Sequence, residues 1–181
     1  MKRYIALAAL MAAFATPAAA QSVAVAPAPL LVPMTAEGFR AMALQSDAFE
    51  ISSSQLALQQ SRSPAIRSFT RQMVQDHSMT SQALGVPAGS AVALDARHAS
   101  MLNQLAPLSG RAFDAAYAQM QVMAHQEAVA MFAAYAQGGI DPAMRAFAQQ
   151  VLPSLQMHLT MAQRLTGRRG AMAMGLSQTL T

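Results

Sequence analysis

The stretch RQMVQDHSMT, residues 71–80, sets Asp76 beside His77 in a chain of which only 11% is charged. At helical spacing His77 falls in the middle of a stripe made with Ile66, Thr70, Met73 and Leu84. Asp76 lies toward the edge of that stripe, where it either orients a neighbour through a hydrogen bond or faces water. His158 sits likewise among Phe147, Val151, Leu155 and Ala162. Glu50 shares its face with Ala43, Ser46, Ser53, Ser54 and Ala57, whose small side chains leave space beside a carboxylate. A further stripe, Phe113, Tyr117, Met120, Ala124, Met131 and Tyr135, takes in Glu127 and is flanked by His125.

Burying unpaired charge is costly, so such groups must bond to one another or to a metal. Imidazoles and carboxylates projecting from facing helices are how bundles build metal sites. Glu50, His77, His125 and His158 are therefore the expected ligands of one divalent transition metal: Zn, Cu or Fe. Asp76, Asp114, Tyr117 and Glu127 are expected around them as supporting groups. Asp114 cannot share an ion with His125, because eleven residues of helix separate them by about 16 Å. Such a ligand set poorly suits two irons. A di-iron site needs a Glu-x-x-His on each of two helices, whereas Val74 and Leu155 stand three residues before His77 and His158. The competing reading is a hydrogen-bonded polar network that fixes helix register and holds no ion.

The remaining residues offer less. His98, beside Arg97, reads as exposed. The 15 methionines are spread along the core stripes as gap-fillers rather than gathered into a copper cluster. Tyr117 and Tyr135 read as core aromatics with hydrogen-bonded hydroxyls. There is no cysteine, which excludes disulfides, a thiol nucleophile and a lipid-modified cysteine. No G-x-S-x-G, P-loop, H-E-x-x-H or dinucleotide fingerprint occurs.

The elements that must position these groups are helical. Thr35 caps a first helix reaching about Ser61, and Ser63-Pro64 starts a second that stops at Gly85. After the loop GVPAGSAVAL, Asp95 caps a short helix. Ser109 opens a long one closed by Gly138-Gly139, and Asp141-Pro142 begins the last. That helix is expected to kink at Pro153 and to end before Gly167. Nothing alternates with period two for long. The expected fold is all-α: an antiparallel four-helix bundle over residues 35–166, with one short helix between the second and third long ones.

Ahead of it, residues 1–20 have the layout of a secretory signal peptide: Lys2 and Arg3, the apolar run YIALAALMAAFA, then PAAA. Residues 21–34 are an Ala/Pro-rich linker, either a tether or a disordered leader. Residues 167–181 read as a flexible tail. Loss of Lys2 and Arg3 would lower the net charge from +4 to +2, and no run of like charges marks a nucleic-acid partner. The chain is expected to be periplasmic, or else secreted, with no transmembrane segment once the signal is removed. An envelope protein or a second copy of the chain is the expected kind of partner.

Three stretches carry a resemblance: FEISSSQLALQQSRSPAIRSFTRQMVQDH, LSGRAFDAAYAQMQVMAHQEAVAMF and FAQQVLPSLQMHLTMAQRL. The ordered set Glu50, Asp76-His77, Phe113-Asp114, Tyr117, His125 and Leu152-Pro153 with His158 resembles the exported bacterial family called domain of unknown function 4142. The resemblance runs from Gly38 to Leu165. It implies a ferritin-like four-helix bundle in the bacterial envelope and names no activity. Two expectations follow: a non-enzymatic, metal-binding bundle in envelope homeostasis or stress, and a mononuclear metalloenzyme with oxidative or peroxide chemistry.

Overall fold

The computed structural model describes residues 35–178, with side chains as far as Gly167. The signal peptide and linker readings lie outside the described residues. The helices are α1 (Ala36–Gln60), α2 (Pro64–Ala83), α3 (Ala96–Leu105), α4 (Gly110–Gly138) and α5 (Pro142–Gln178).

The starts follow the capping logic. Side-chain oxygens of Thr35, Ser63 and Asp95 accept from the N–H groups of Gly38, Ile66 and His98. Asp141 accepts from Met144 N–H at 2.7 Å ahead of Pro142. Each bond satisfies one of the donors that a helix start leaves unpaired. Ser109 makes no such side-chain bond. At the end of α2 the chain turns through Gly85 at φ +86°, a left-handed conformation that favours glycine. Arg40 of α1 closes this corner, its Nε donating to the Leu84 carbonyl at 2.6 Å.

The last helix departs from expectation. It does not end before Gly167 but keeps a helical backbone to Gln178, with Pro153 inside it. A glycine costs a helix about 1 kcal/mol but does not terminate it, and the Ala, Met and Arg around Gly167 and Gly170 are strong helix formers.

The two short turns, Ser61–Ser63 and Gly139–Asp141, join antiparallel neighbours: α1 packs on α2, and α4 on α5. Opposed pairs such as Phe39 with Tyr135 and Ser54 with Tyr117 make α1 and α4 antiparallel as well. It follows that α2 and α5, which meet at Asp76 and His158, are antiparallel too. So α2 and α4 lie diagonally and run the same way. The chain between them must climb back along the bundle, and α3, packed on α1 and α4, lies on that long crossover. One long crossover is the connectivity of ferritin-like bundles.

The core is in two parts. One end holds Phe39, Leu84, Met131, Phe132, Tyr135, Ala148 and Leu155. The other holds Ile66, Phe69, Met73, Leu105, Phe113, Tyr117 and Ala162. Between them the buried residues are polar: Asp47, Glu50, Ser53, Ser54, His77, Gln121, His125 and His158.

Tyr135 anchors the first cluster, its ring stacked on Phe39 at 4.1 Å between centroids. Its hydroxyl has no hydrogen-bond partner, contrary to the expectation for a buried tyrosine. The backbone of Gly139 lies on the same ring: a Cβ there would stand 2.4 Å from Tyr135 Cε1. Gly139→Ala is therefore expected to lower stability in chemical denaturation by about 1–3 kcal/mol, because the trapped ring cannot yield.

Candidate metal centre

Three of the four histidines meet in the polar layer. His77 comes from α2, His125 from α4 and His158 from α5, and their ring centroids form a triangle with every side 5.5 Å. A ligand atom from each lies within 4.8 Å of those of the other two. All three residues are at least 98% buried.

Each ring is held from behind. His77 Nδ1 is 2.8 Å from Asp47 Oδ1, and Asp47 Oδ2 accepts from the Ser81 hydroxyl at 2.9 Å. His158 Nε2 is 2.9 Å from Asp76 Oδ2. His125 Nδ1 donates to the Gln121 carbonyl, one helical turn back, at 2.9 Å. The other nitrogens, His77 Nε2, His125 Nε2 and His158 Nδ1, are buried with no hydrogen-bond partner. An acceptor beside one ring nitrogen holds the proton on that nitrogen, so that in the neutral ring the opposite nitrogen carries the lone pair. Carboxylate–histidine pairs of this kind orient metal-ligating imidazoles.

For two of the three rings the charge states agree with that arrangement. Burial, and then the nearby charge of His77, pushes the His125 pKa down to about 3. Burial followed by His77 and His125 lowers His158 to about 4, against the opposing pull of Asp76. Both are neutral at pH 7. For His77, burial works against the charged form, but the Asp47 hydrogen bond and charge outweigh it and the pKa rises, so this ring takes a second proton, on Nε2, more readily than the other two.

Glu50 stands beside this triangle, with Oε1 3.5 Å from His125 Nδ1, on the side away from the unpaired Nε2. Burial raises its pKa to about 7, with His77, Gln121 and His158 opposing. Neither carboxyl oxygen has a hydrogen-bond partner, and the Gln121 Oε1 atom is likewise unpartnered. Gln121 Nε2 donates to Ser53 Oγ at 3.1 Å, which ties α4 to α1 next to Glu50.

The other expected residues are distributed as follows. Asp76 takes the orienting role, on the α5 histidine facing it. Tyr117 lies a layer below, its hydroxyl 2.8 Å from Ser54 Oγ, and Phe69 separates it from His125. Asp114 is buried but lies three turns of α4 from His125, outside the triangle. Glu127 is corrected outright. It is half-exposed and pairs with Arg97 of α3. Two residues of helix rotate a side chain by about 200°, so a fully inward His125 forces Glu127 outward. His98 is also not the exposed residue expected: its Nδ1 lies 2.6 Å from Asp95 Oδ2 and its ring rests on Phe49.

Asp47 is the member that sequence reasoning missed. Its signal was present: it precedes Glu50 by one helical turn and lies on the same face. Ser81, four residues after His77, repeats that spacing on α2.

An all-helical bundle with three inward imidazoles defines the class of protein. Residues 18–165 match the family described as Domain of unknown function (DUF4142), and the chain belongs to it. No curated protein sequence matches. Two solved structures are similar in fold. One is a DUF305 fragment from Deinococcus radiodurans, at 18% identity and a TM-score of 0.60, covering 72% of this chain and 93% of that one. The other is CopM in the Cu(II)-bound form, also at 18% and 0.60, covering 74% of this chain and 97% of that one.

Glu50 supplies a test of the layer's electrostatics in metal-free protein. Its folded pKa of about 7 stands above the unfolded 4.5, so the folded state keeps a proton that the unfolded state has lost. Stability contributed by this group is full below pH 4.5 and is lost as pH rises to 7. Glu50→Gln stays neutral and escapes that loss. The variant is expected to gain on the wild type from pH 5 to pH 8, by on the order of 3 kcal/mol, in urea melts at the two pH values.

Proposed function

We propose that this protein binds one divalent transition metal ion through His77, His125 and His158, and that it acts as a metal-holding bundle in the bacterial envelope. The observation that carries the reading is the set of three buried ring nitrogens without partners, each opposite a nitrogen already held by an acceptor. Leaving such atoms unpaired in an apolar interior costs about 1–3 kcal/mol each, and one ion satisfies all three.

The donor set suits the ion. Neutral imidazoles favour Zn, Cu and Fe, and at nitrogen ligands Cu²⁺ binds most tightly of the divalent series. A triangle with sides up to 4.8 Å places its corners up to about 2.8 Å from the centre. Bonds of about 2.0–2.1 Å to zinc then need only small side-chain shifts. Charge balance favours a divalent ion: Asp47 and Asp76, each one imidazole removed from the centre, supply two negative charges. Similarity to a fold that carries Cu(II) in CopM supports copper as the first ion to test. A bound ion would act as a Lewis acid. Glu50, beside His125 Nδ1, would take up a proton displaced from the site.

The envelope address rests on the signal-peptide layout of residues 1–20. No described helix is long and apolar enough to cross a membrane. Three imidazoles held from behind, with their other nitrogens grouped together, suit the holding of an ion. A role in metal homeostasis or stress follows.

Competition titration with Cu²⁺ and Zn²⁺ tests the reading. One ion per chain is expected, with His125→Ala and His158→Ala abolishing tight binding and Asp47→Asn weakening it by about 10–100-fold. Equal, weak uptake by the wild type and both histidine variants would leave a metal-free network. That network predicts a lower melting temperature for His158→Ala and no thermal shift with either ion.

A further inference from the structure

A centre that is at least 98% buried needs a way in, and the sides of the bundle differ in what they offer. The α1–α2 side carries a pocket of about 230 Å³ lined by Ala48, Ser52, Gln55, Ser81 and Gln82, with no charged residue and none of the three histidines. The side covered by α3 has a pocket lined by Arg97, Glu127, Asp95 and His98, where Arg97 and Glu127 pair with each other and none of the three histidines is reached. Between α2 and α5 lies a groove of about 300 Å³ whose wall includes His77 and His158 themselves. Of the four packed sides this one is held most sparsely.

The chemistry of the groove is that of a cation path. Asp76 is the one charged group lining it, with a side chain 25% exposed, and its Oδ2 already touches His158 Nε2. The rest of the wall is neutral: Thr80, Ser154 and Gln150 outside, Phe147, Val151 and Leu155 deeper. A hexahydrated divalent ion occupies about 200 Å³ at ~30 Å³ per water, less than the volume of the groove. A single carboxylate at the bottom of a low-dielectric cleft concentrates field and draws the ion inward.

We propose that the α2–α5 groove is the route by which a hydrated divalent cation reaches and leaves the three-histidine centre, with Asp76 as its first protein contact. This rests on the metal reading above and adds the direction of access. Asp76 thereby has two tasks, orienting His158 and receiving the ion. A docking partner that delivers metal would have to present it at this mouth.

Ser154 tests the route without touching the site, since it is exposed at the groove wall and makes no bond to the histidines or Asp76. Stopped-flow mixing of purified protein with Cu²⁺, and separately with Zn²⁺, measures association, and a chelator chase measures dissociation. Ser154→Trp is expected to slow both rates about tenfold while the dissociation constant stays within about threefold, the mark of an obstructed path. Ser154→Lys is expected to slow association about threefold and Ser154→Glu to speed it by a similar factor, both effects shrinking in 0.5 M salt as screening shortens to under about 5 Å. The same three changes at Gln55, exposed on the α1–α2 side, should leave the rates alone. Circular dichroism confirms that each variant folds. Rates that ignore Ser154, or respond equally to Gln55, overturn the route and leave the metal site standing. Failure of the wild type to bind either ion overturns the metal reading, and the route with it.

Discussion

The structure turns on one constraint: a layer of ionisable groups sealed between two apolar clusters must satisfy itself from within. Asp47, Asp76 and the Gln121 carbonyl do this by taking one nitrogen of each imidazole. Every such bond both lowers the cost of burial and turns the free nitrogen toward its counterparts. Orientation of the three rings is thus a by-product of satisfying their backs. It needs no ion to exist.

That arrangement ties the helices together in a particular order. Asp47 links α1 to α2, Asp76 links α2 to α5, and the Gln121–Ser53 bond links α4 to α1. A one-turn slip of any helix would break a buried polar bond as well as apolar contacts. The apolar clusters at either end accept shape changes more readily, since large and small hydrophobes can repack. Directional bonds cannot. The polar layer therefore sets register while the flanking clusters supply most of the favourable burial.

The long crossover matters for the site as well as the topology. Because α2 and α4 run the same way, α3 is carried across α1 and α4, and covers that side of the bundle. Its Arg97 draws Glu127 outward into a surface ion pair, which removes a carboxylate from the interior. Among the described residues no helix covers α2 and α5, and the groove there leaves Asp76 partly in water. The centre is consequently shielded on one side and approachable on another.

Much of this was legible in the residues. Caps at Thr35, Ser63, Asp95 and Asp141, together with turns at Gly85 and Gly139, marked the helices, because those signals are local and act within one turn of chain. The inward placement of His77 and His158 was legible too, since a polar residue centred in an apolar stripe has nowhere else to point. His125 and Glu127 could not be separated this way: on a broad stripe two residues 200° apart each have a claim, and only the position of α3 and α1 around α4 decided between them. The pairing of Asp47 with His77, 30 residues apart, and of Asp76 with His158, 82 apart, is likewise a matter of which helices become neighbours. Periodicity determines which face of a helix is buried. Which other face meets it is settled by packing of the whole chain, and the chemistry of the centre lives in that meeting.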